Sequence, residues 1–344
     1  MATPVHADLR PLAVSLGDPA GVGAELIAEA WARREAAGLA PFFVTGGATV
    51  LRQAARRRGV PLELVLIDDP AEAPGLFASA LPVLELPVLD RAKGEYRPGQ
   101  PDEAGARLAL ASLEAGAAAV VAGSARALVT APIAKSELAK VGFAFPGQTE
   151  FVAHACGAAA DQAVMMLAGP QLRTVPMTVH CALAEVPGRL STGLICNRAR
   201  IVAQALRRDF GIAAPRLAIC GLNPHAGESG RMGREEIEII APAIAVLRAE
   251  GIDATGPHPA DTLFAPHLRP TYDVAIAMYH DQALVPLKAL DFDVGVNVTL
   301  GLPVVRTSPD HGTAFGIAGT GQASASATLA AIVTAAEMAT RRAA

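Results

Sequence analysis

The chain of 344 residues has little charge, few cysteines, no long apolar run and no block of basic residues. Each scarcity removes a class of protein. Charged residues make up 18% of the chain against 51% hydrophobic ones, whereas disordered chains are polar and highly charged, so disorder is excluded. Four cysteines, Cys156, Cys181, Cys196 and Cys220, are widely spaced with no CxxC pair. That spacing suits free thiols in a reducing compartment and not a disulfide framework or a zinc ribbon. The mean hydropathy of +0.34 comes from scattered Ala, Val and Leu. No stretch reaches the roughly 18 to 20 apolar residues of a spanning helix, and the richest run, at 115–123, is too short. The N-terminal MATPVHADLRPLAV has no basic flank before an apolar core and is interrupted by Asp8 and Arg10, so it does not read as a secretory signal. The expected location is the cytoplasm. A net charge of -4 and one basic cluster, RQAARRRG at 52–59, which reads as a solvated helix face, argue against nucleic acid and membrane partners.

What is present is an alternation. Short apolar runs (12–16, 41–46, 62–67, 81–86, 127–132, 163–168, 174–180, the start of 216–225, 274–280 and 294–301) read as strands. Longer segments of helical periodicity separate many of them, notably those at about 102–116, from 149 and at 189–211. This predicts an α/β protein of about two domains with buried, largely parallel strands. There is no internal repeat and no long linker. In open α/β sheets ligands bind where strands end and helices begin, so residues just after each strand carry most weight.

Several polar residues fall there. GDPAGVG at 17–23 follows the first strand, and its glycines permit close backbone approach at a helix start. It is not a GxGxxG fingerprint, and it reads equally as a structural turn. Of eight histidines, His180, His225 and His280 each follow an apolar strand-like run. Three imidazoles at one sheet edge suit a divalent metal such as Zn or Co; the alternative is three separate hydrogen-bonded side chains. His6, His258 and His267 read as surface residues and His154 as a helix residue. Asp281, beside His280, and Asp261, in GPHPADTLF, are placed to orient an imidazole or accept a proton, or else to cap helices. Lys288, Asn297 and Arg306 are each set into apolar stretches, which an anionic ligand explains better than surface ion pairs.

The motifs GDPAGVGAEL, TAPIAKSEL, FPGQTEF, MMLAG, CGLNPHAGESGRMGREEI, GPHPADTLF, AMYHDQALVPLK and GVNVTLGLPVVRTSPDHGTAFGIAGTG, in this order, resemble the 4-hydroxythreonine-4-phosphate dehydrogenase family of pyridoxal phosphate biosynthesis. The resemblance runs from about Val14 to the C-terminal helix. It implies two α/β domains with a cleft between them, similar to isocitrate and isopropylmalate dehydrogenases, and a homodimer with shared active sites. It also implies metal ligation by His180, His225 and His280, with one divalent metal (Zn, Co or Mg) per active site. The family's substrate-binding positions match Gln148, Thr149, Lys288, Asn297 and Arg306, with Asp261 and Asp281 as candidates for the catalytic base. His311, Gly312, Thr313 and Ala314, in DHGTAFGIAGTG, are then candidates to contact NAD or NADP. Residues 1–130 with 302–344 are expected to form the NAD-side domain, and 131–301 the domain of metal, substrate and dimer contacts.

One position departs from the pattern. Where most members read GHTEF, this chain has Gln148, which can hydrogen-bond a substrate but cannot shuttle a proton at neutral pH as histidine can. The resemblance implies NAD-dependent oxidation of 4-phosphooxy-threonine at its C3 hydroxyl, then decarboxylation. The rivals are a paralogue acting on a phosphorylated threonate or erythronate or an aromatic dihydrodiol carboxylate, a metal-dependent hydrolase or lyase without NAD, and a catalytically silent binding homologue.

Overall fold

The computed structural model describes residues 8–86 and 96–343; His6 lies outside them. The chain divides into two compact units, one of residues 1–160 with 302–344 and one of residues 161–301. The first carries β1 (Leu12–Ser15), α1 (Gly23–Ala32), β2 (Phe42–Thr45), α2 (Ala48–Arg58), β3 (Leu64–Ile67), α3 (Ala73–Leu76), β4 (Leu81–Leu84), α4 (Glu103–Val121), β5 (Leu128–Thr130), α5 (Lys135–Lys140) and α6 (Gln148–Ala155). The second carries β6 (Val164–Ala168), β7 (Arg173–Pro176), α7 (Val186–Arg189), α8 (Thr192–Phe210), β8 (Arg216–Cys220), α9 (Ala241–Ala249), β9 (Asp253–His258), α10 (Ala260–Leu263), β10 (Val274–Ala277), α11 (His280–Asp291) and β11 (Val296–Leu300). The chain then returns to the first unit as β12 (Arg306–Pro309) and α12 (Ser326–Ala343).

In the first unit the strand order is β3-β4-β2-β1-β5-β12, with every recorded pairing parallel. All four residues of β1 and of β2 are buried, as befits parallel strands covered by helices on both faces. The expected boundary at 130 gives way to one at 160, because α5 and α6 pack on α4 within the first unit. By length and composition α4 could cross a membrane, contrary to the expectation that no stretch qualifies. Half of its apolar window is buried in the fold, on a face packed against β1, β2 and β5. Asp102 starts it by accepting the Gly105 N–H at 2.7 Å.

The second unit orders its strands β11-β6-β7-β10-β8-β9. β7, β10, β8 and β9 run parallel, but β6 is antiparallel to both β11 and β7. The reason is the connection: only residues 169–172 join β6 to β7, a hairpin length that cannot reverse the chain twice. Ser191 Oγ accepts the Leu194 N–H at 3.1 Å to start α8, and Gly211, at φ 70°, ends it. The four cysteines are free thiols, and burial pushes that of Cys220 up to about 12. His258, expected on the surface, ends β9 half-buried and bonds Thr255 Oγ1 at 2.9 Å.

Candidate active site

Adjacency of β7, β10 and β8 decides what the second unit can do. His180 follows β7, His280 starts α11 just after β10, and His225 follows β8. Neighbouring strands lie about 4.8 Å apart, so three imidazoles distant in sequence share one edge. The turns are cross-tied. Met177 N–H donates to Ala277 O at 2.7 Å, and Thr178 Oγ1 donates to Met278 O at 2.9 Å. Gln282, only 8% exposed, accepts the Met278 N–H at 2.6 Å and donates to Gly221 O at 2.9 Å. It thereby links the turn before His280 to the turn before His225. The sequence carried one signal for it, its place two residues after His280.

The rings of His180 and His280 lie 5.9 Å apart between centroids. They line a cavity of about 380 Å³ with Cys181, Tyr279 and Asp281. His280 Nδ1 bonds Asp281 Oδ1 at 2.7 Å; the carboxylate can only accept, so the proton sits on Nδ1 and Nε2 keeps its lone pair for a ligand. Asp281 thus orients an imidazole, while Asp261 is exposed in α10. Among the described residues no three His, Cys, Asp or Glu side chains form a group able to hold a metal, so the three imidazoles do not meet as one ligand set. His225 is exposed on a turn in which five successive residues, His225 to Ser229, are left-handed. His180 is left-handed too, at φ 48°. Such backbone costs on the order of 1 kcal/mol per non-glycine residue and clusters at functional sites. The paired imidazoles of His180 and His280 offer two donors to a ligand, and His225, on the neighbouring turn, does not join them as a third.

Two further residues stand on the second unit's elements. Lys288 lies half-buried in α11, eight residues or about 12 Å of helix rise beyond His280. Asn297, in β11, has a buried Oδ1 with no partner. An orphaned buried acceptor costs about 1 to 3 kcal/mol, and a ligand donor would remove that cost.

In the first unit, Arg306 opens β12 and is 3% exposed. Its Nη2 donates to Thr130 Oγ1 at 2.6 Å and Gln148 Oε1 at 2.8 Å, and its Nη1 reaches Thr149 Oγ1 at 3.4 Å. Burial pushes its pKa down to about 10, against an opposing pull from Glu150; at neutral pH it remains a cation. Gln148 and Thr149 are the first two residues of α6, whose N-terminal dipole also favours an anion. Gln148 Nε2 donates to Ala131 O at 3.0 Å, so both ends of the amide are committed. The group looks like an anion subsite, and surface ion pairs do not explain it.

The loop after β12 is tied to the start of α1. Val22 N–H donates to Thr313 O at 3.0 Å, and a Cβ on Gly21 would stand 2.8 Å from that oxygen. Glycine there is a packing requirement. Ala314 is left-handed at φ 48°, and His311 bonds Gly312 O through Nδ1 at 3.0 Å while its buried Nε2 has no partner. GDPAGVG is therefore the turn that supports this loop, with Asp18 Oδ1 accepting the Ala20 N–H at 2.9 Å.

Gln282→Leu tests the cross-tie. It strands the Met278 N–H and the Gly221 carbonyl in the interior, and stability is expected to fall by about 2 to 4 kcal/mol. A urea denaturation curve with an unchanged slope and a lower midpoint checks this.

Residues 38–335 match the family described as pyridoxal phosphate biosynthetic protein PdxA. The 4-hydroxythreonine-4-phosphate dehydrogenase of Erythrobacter litoralis is 64% identical over 97% of this chain and 98% of its own. A crystal structure of the enzyme of that name from Klebsiella pneumoniae is 39% identical, with a TM-score of 0.85 over 97% of this chain and 99% of that one. A terephthalate 1,2-cis-dihydrodiol dehydrogenase from Burkholderia xenovorans is 32% identical, with a TM-score of 0.63 over 93% of this chain and 95% of that one.

Proposed function

The chain belongs to the pyridoxal phosphate biosynthetic protein PdxA family, and from that premise we propose that it is a metal-dependent dehydrogenase that uses NAD or NADP to oxidise 4-phosphooxy-L-threonine. Oxidation at the C3 hydroxyl gives a β-keto acid. Its decarboxylation yields 3-amino-2-oxopropyl phosphate. The observation that carries this reading is the clustering of histidine turns at the ends of β7, β10 and β8, with His180 and His280 already paired. The committed Arg306–Gln148–Thr149 group supports it.

Arg306, Thr149 and the α6 N-terminus bind the phosphate, Arg306 through the donors of its fork. Lys288 and Asn297 take the amino-acid end, where Asn297 Oδ1 gains the donor it lacks. His180, His225 and His280 would hold a divalent metal (Zn, Co or Mg), which lowers the pKa of a bound hydroxyl and polarises a carbonyl. His311, Gly312, Thr313 and Ala314 would hold NAD or NADP, which would supply the hydride acceptor. Asp281 holds His280 in one tautomer, and Asp281 or Asp261 receives the hydroxyl proton, since Gln148 cannot. The protein works in the cytoplasm as a homodimer with shared active sites.

A substrate panel with NAD, NADP and several divalent metals, followed at the absorbance of NADH or NADPH, tests the reading. Turnover of 4-phosphooxy-threonine above that of phosphorylated threonate, erythronate and an aromatic dihydrodiol carboxylate supports it. Preference for the last would favour the second reading, for which the likeness to the dihydrodiol dehydrogenase speaks. Gln148→His adds a direct comparison: unchanged kcat on the phosphorylated amino acid is expected if the position only binds.

A further inference from the structure

A further cavity, of about 210 Å³, lies in the first unit at the end of the sheet where β5 and β12 begin, between the last turns of α4 and α12. Its charged lining is uneven. Arg10, Arg126 and Arg342 face one carboxylate, that of Asp8, with Val120 and Val305 on the apolar side. Arg10 holds Asp8 through Nε at 2.9 Å and Nη2 at 2.6 Å, and its Nη1 donates to Gly123 O at 2.9 Å, just past α4. Arg342 Nη1 donates to Pro303 O at 2.9 Å. Arg126 is held differently. Its Nη1 donates to Thr340 Oγ1 at 3.1 Å, it is in no ion pair among the described residues, and its buried Nε has no partner. Burial holds its pKa below the ordinary value, and nearby Asp8 only partly offsets that. The cavity is separate from the Arg306 subsite. Thr307 Oγ1 donates to Ala331 O of α12 at 2.8 Å, and side chains alternate along a strand, so Val305 shares the α12 face while Arg306 points the other way, to Gln148 of α6.

We propose that this cavity is a binding site for a small phosphate monoester, whose dianion sits against the Arg126 guanidinium and whose short carbon chain lies on Val120 and Val305. Three cations and one carboxylate leave a formal charge of +2, which a phosphate monoester dianion matches and a carboxylate monoanion does not. A phosphate oxygen would give Arg126 the charge-assisted bonds that one threonine hydroxyl does not supply. The volume is below the roughly 300 to 1,000 Å³ of pockets for drug-sized ligands, which favours a three-carbon ester over a nucleotide. Nothing in this site depends on the histidine turns or on a cofactor.

The test is titration calorimetry on the full-length protein in a phosphate-free buffer at about pH 8, where the ester is a dianion, with glycerol 3-phosphate and glycerate as probes. Arg306→Met is the starting protein, so that the subsite at α6 does not compete. Glycerol 3-phosphate is expected to bind it at one site per chain, about 10-fold or more tighter than glycerate. Adding Arg126→Met is expected to weaken that binding by about 10- to 100-fold, and Arg126→Lys to restore part of the loss. No binding, equal affinity for glycerate, or an affinity that Arg126→Met leaves unchanged overturns the proposal. Should either methionine variant not fold, Asp8→Asn in the wild-type protein decides. It removes the carboxylate that opposes the three cations and is expected to tighten glycerol 3-phosphate binding several-fold; unchanged or weaker binding overturns the proposal.

Discussion

Arg306→Met is expected to lower kcat/KM for the phosphorylated substrate by about 10²- to 10³-fold, most of it as a higher KM. Hydrogen bonds to charged groups contribute about 1.5 to 3 kcal/mol each, and the guanidinium has two nitrogens directed at the α6 N-terminus and its neighbours. Losing two such bonds to phosphate removes about 3 to 6 kcal/mol, and the lower part of that range, at about 1.4 kcal/mol per factor of ten, is the 10²- to 10³-fold effect expected. A rise confined to KM indicates binding shared by ground and transition states; an equal fall in kcat indicates interactions made only in the transition state. Arg306→Lys keeps the charge without the fork and is expected to recover only part of the loss. The same residue gives a pH dependence. Burial places its pKa at about 10, so the cation is complete at neutral pH and KM rises as the pH climbs through that value. Steady-state kinetics on the two variants and across pH check all three statements.

The largest stability effect is expected from Arg58→Met. The side chain is 9% exposed, pairs with Glu29 and lies 3.6 Å from Glu25. Its Nη2 also donates to Ala323 O at 2.5 Å. Neighbouring Arg57 donates to Gly319 O at 3.0 Å, so α2 pins the loop that continues from His311 to Ala314. Removing one partner from a buried ionic cluster costs about 3 to 5 kcal/mol, because the remaining charges stay buried. Burial already raises the Glu25 pKa in spite of Arg58. Exposed Arg56, on the same helix, is the control, with an expected change within about 0.5 kcal/mol. Guanidinium unfolding curves distinguish the two, and the KM for NAD should rise in Arg58→Met if the loop loosens.

Arg58 also shows where a sequence stops being readable. RQAARRRG looked like a solvated face because helical periodicity assigns faces, not the path of a long side chain that folds back under its neighbour. Apolar strands were legible for the opposite reason: LAVS, FFVT, VMMLA and VAIA bury nearly every residue, so composition alone marks them. β12 and β9 lack that mark. Arg306 opens one, and Gly256 and Pro257 interrupt the other. The histidines were found because an imidazole just after an apolar run is unusual. Gln282 was not, since a side chain that clamps backbone groups has no period, and its one signal was its place two residues after His280. Among the recorded pairings the parallel expectation failed at β6, where the shortness of the 169–172 connection held the needed information.

Metal stoichiometry and NADH formation, measured together on the wild type and on His180→Ala, His225→Ala and His280→Ala, test the central claim most directly. One tightly held Zn²⁺ or Co²⁺ per active site is expected in the wild type, with NADH formation from 4-phosphooxy-threonine that chelation abolishes and loss of both metal and turnover in every variant. Full metal content and turnover in His225→Ala would contradict it.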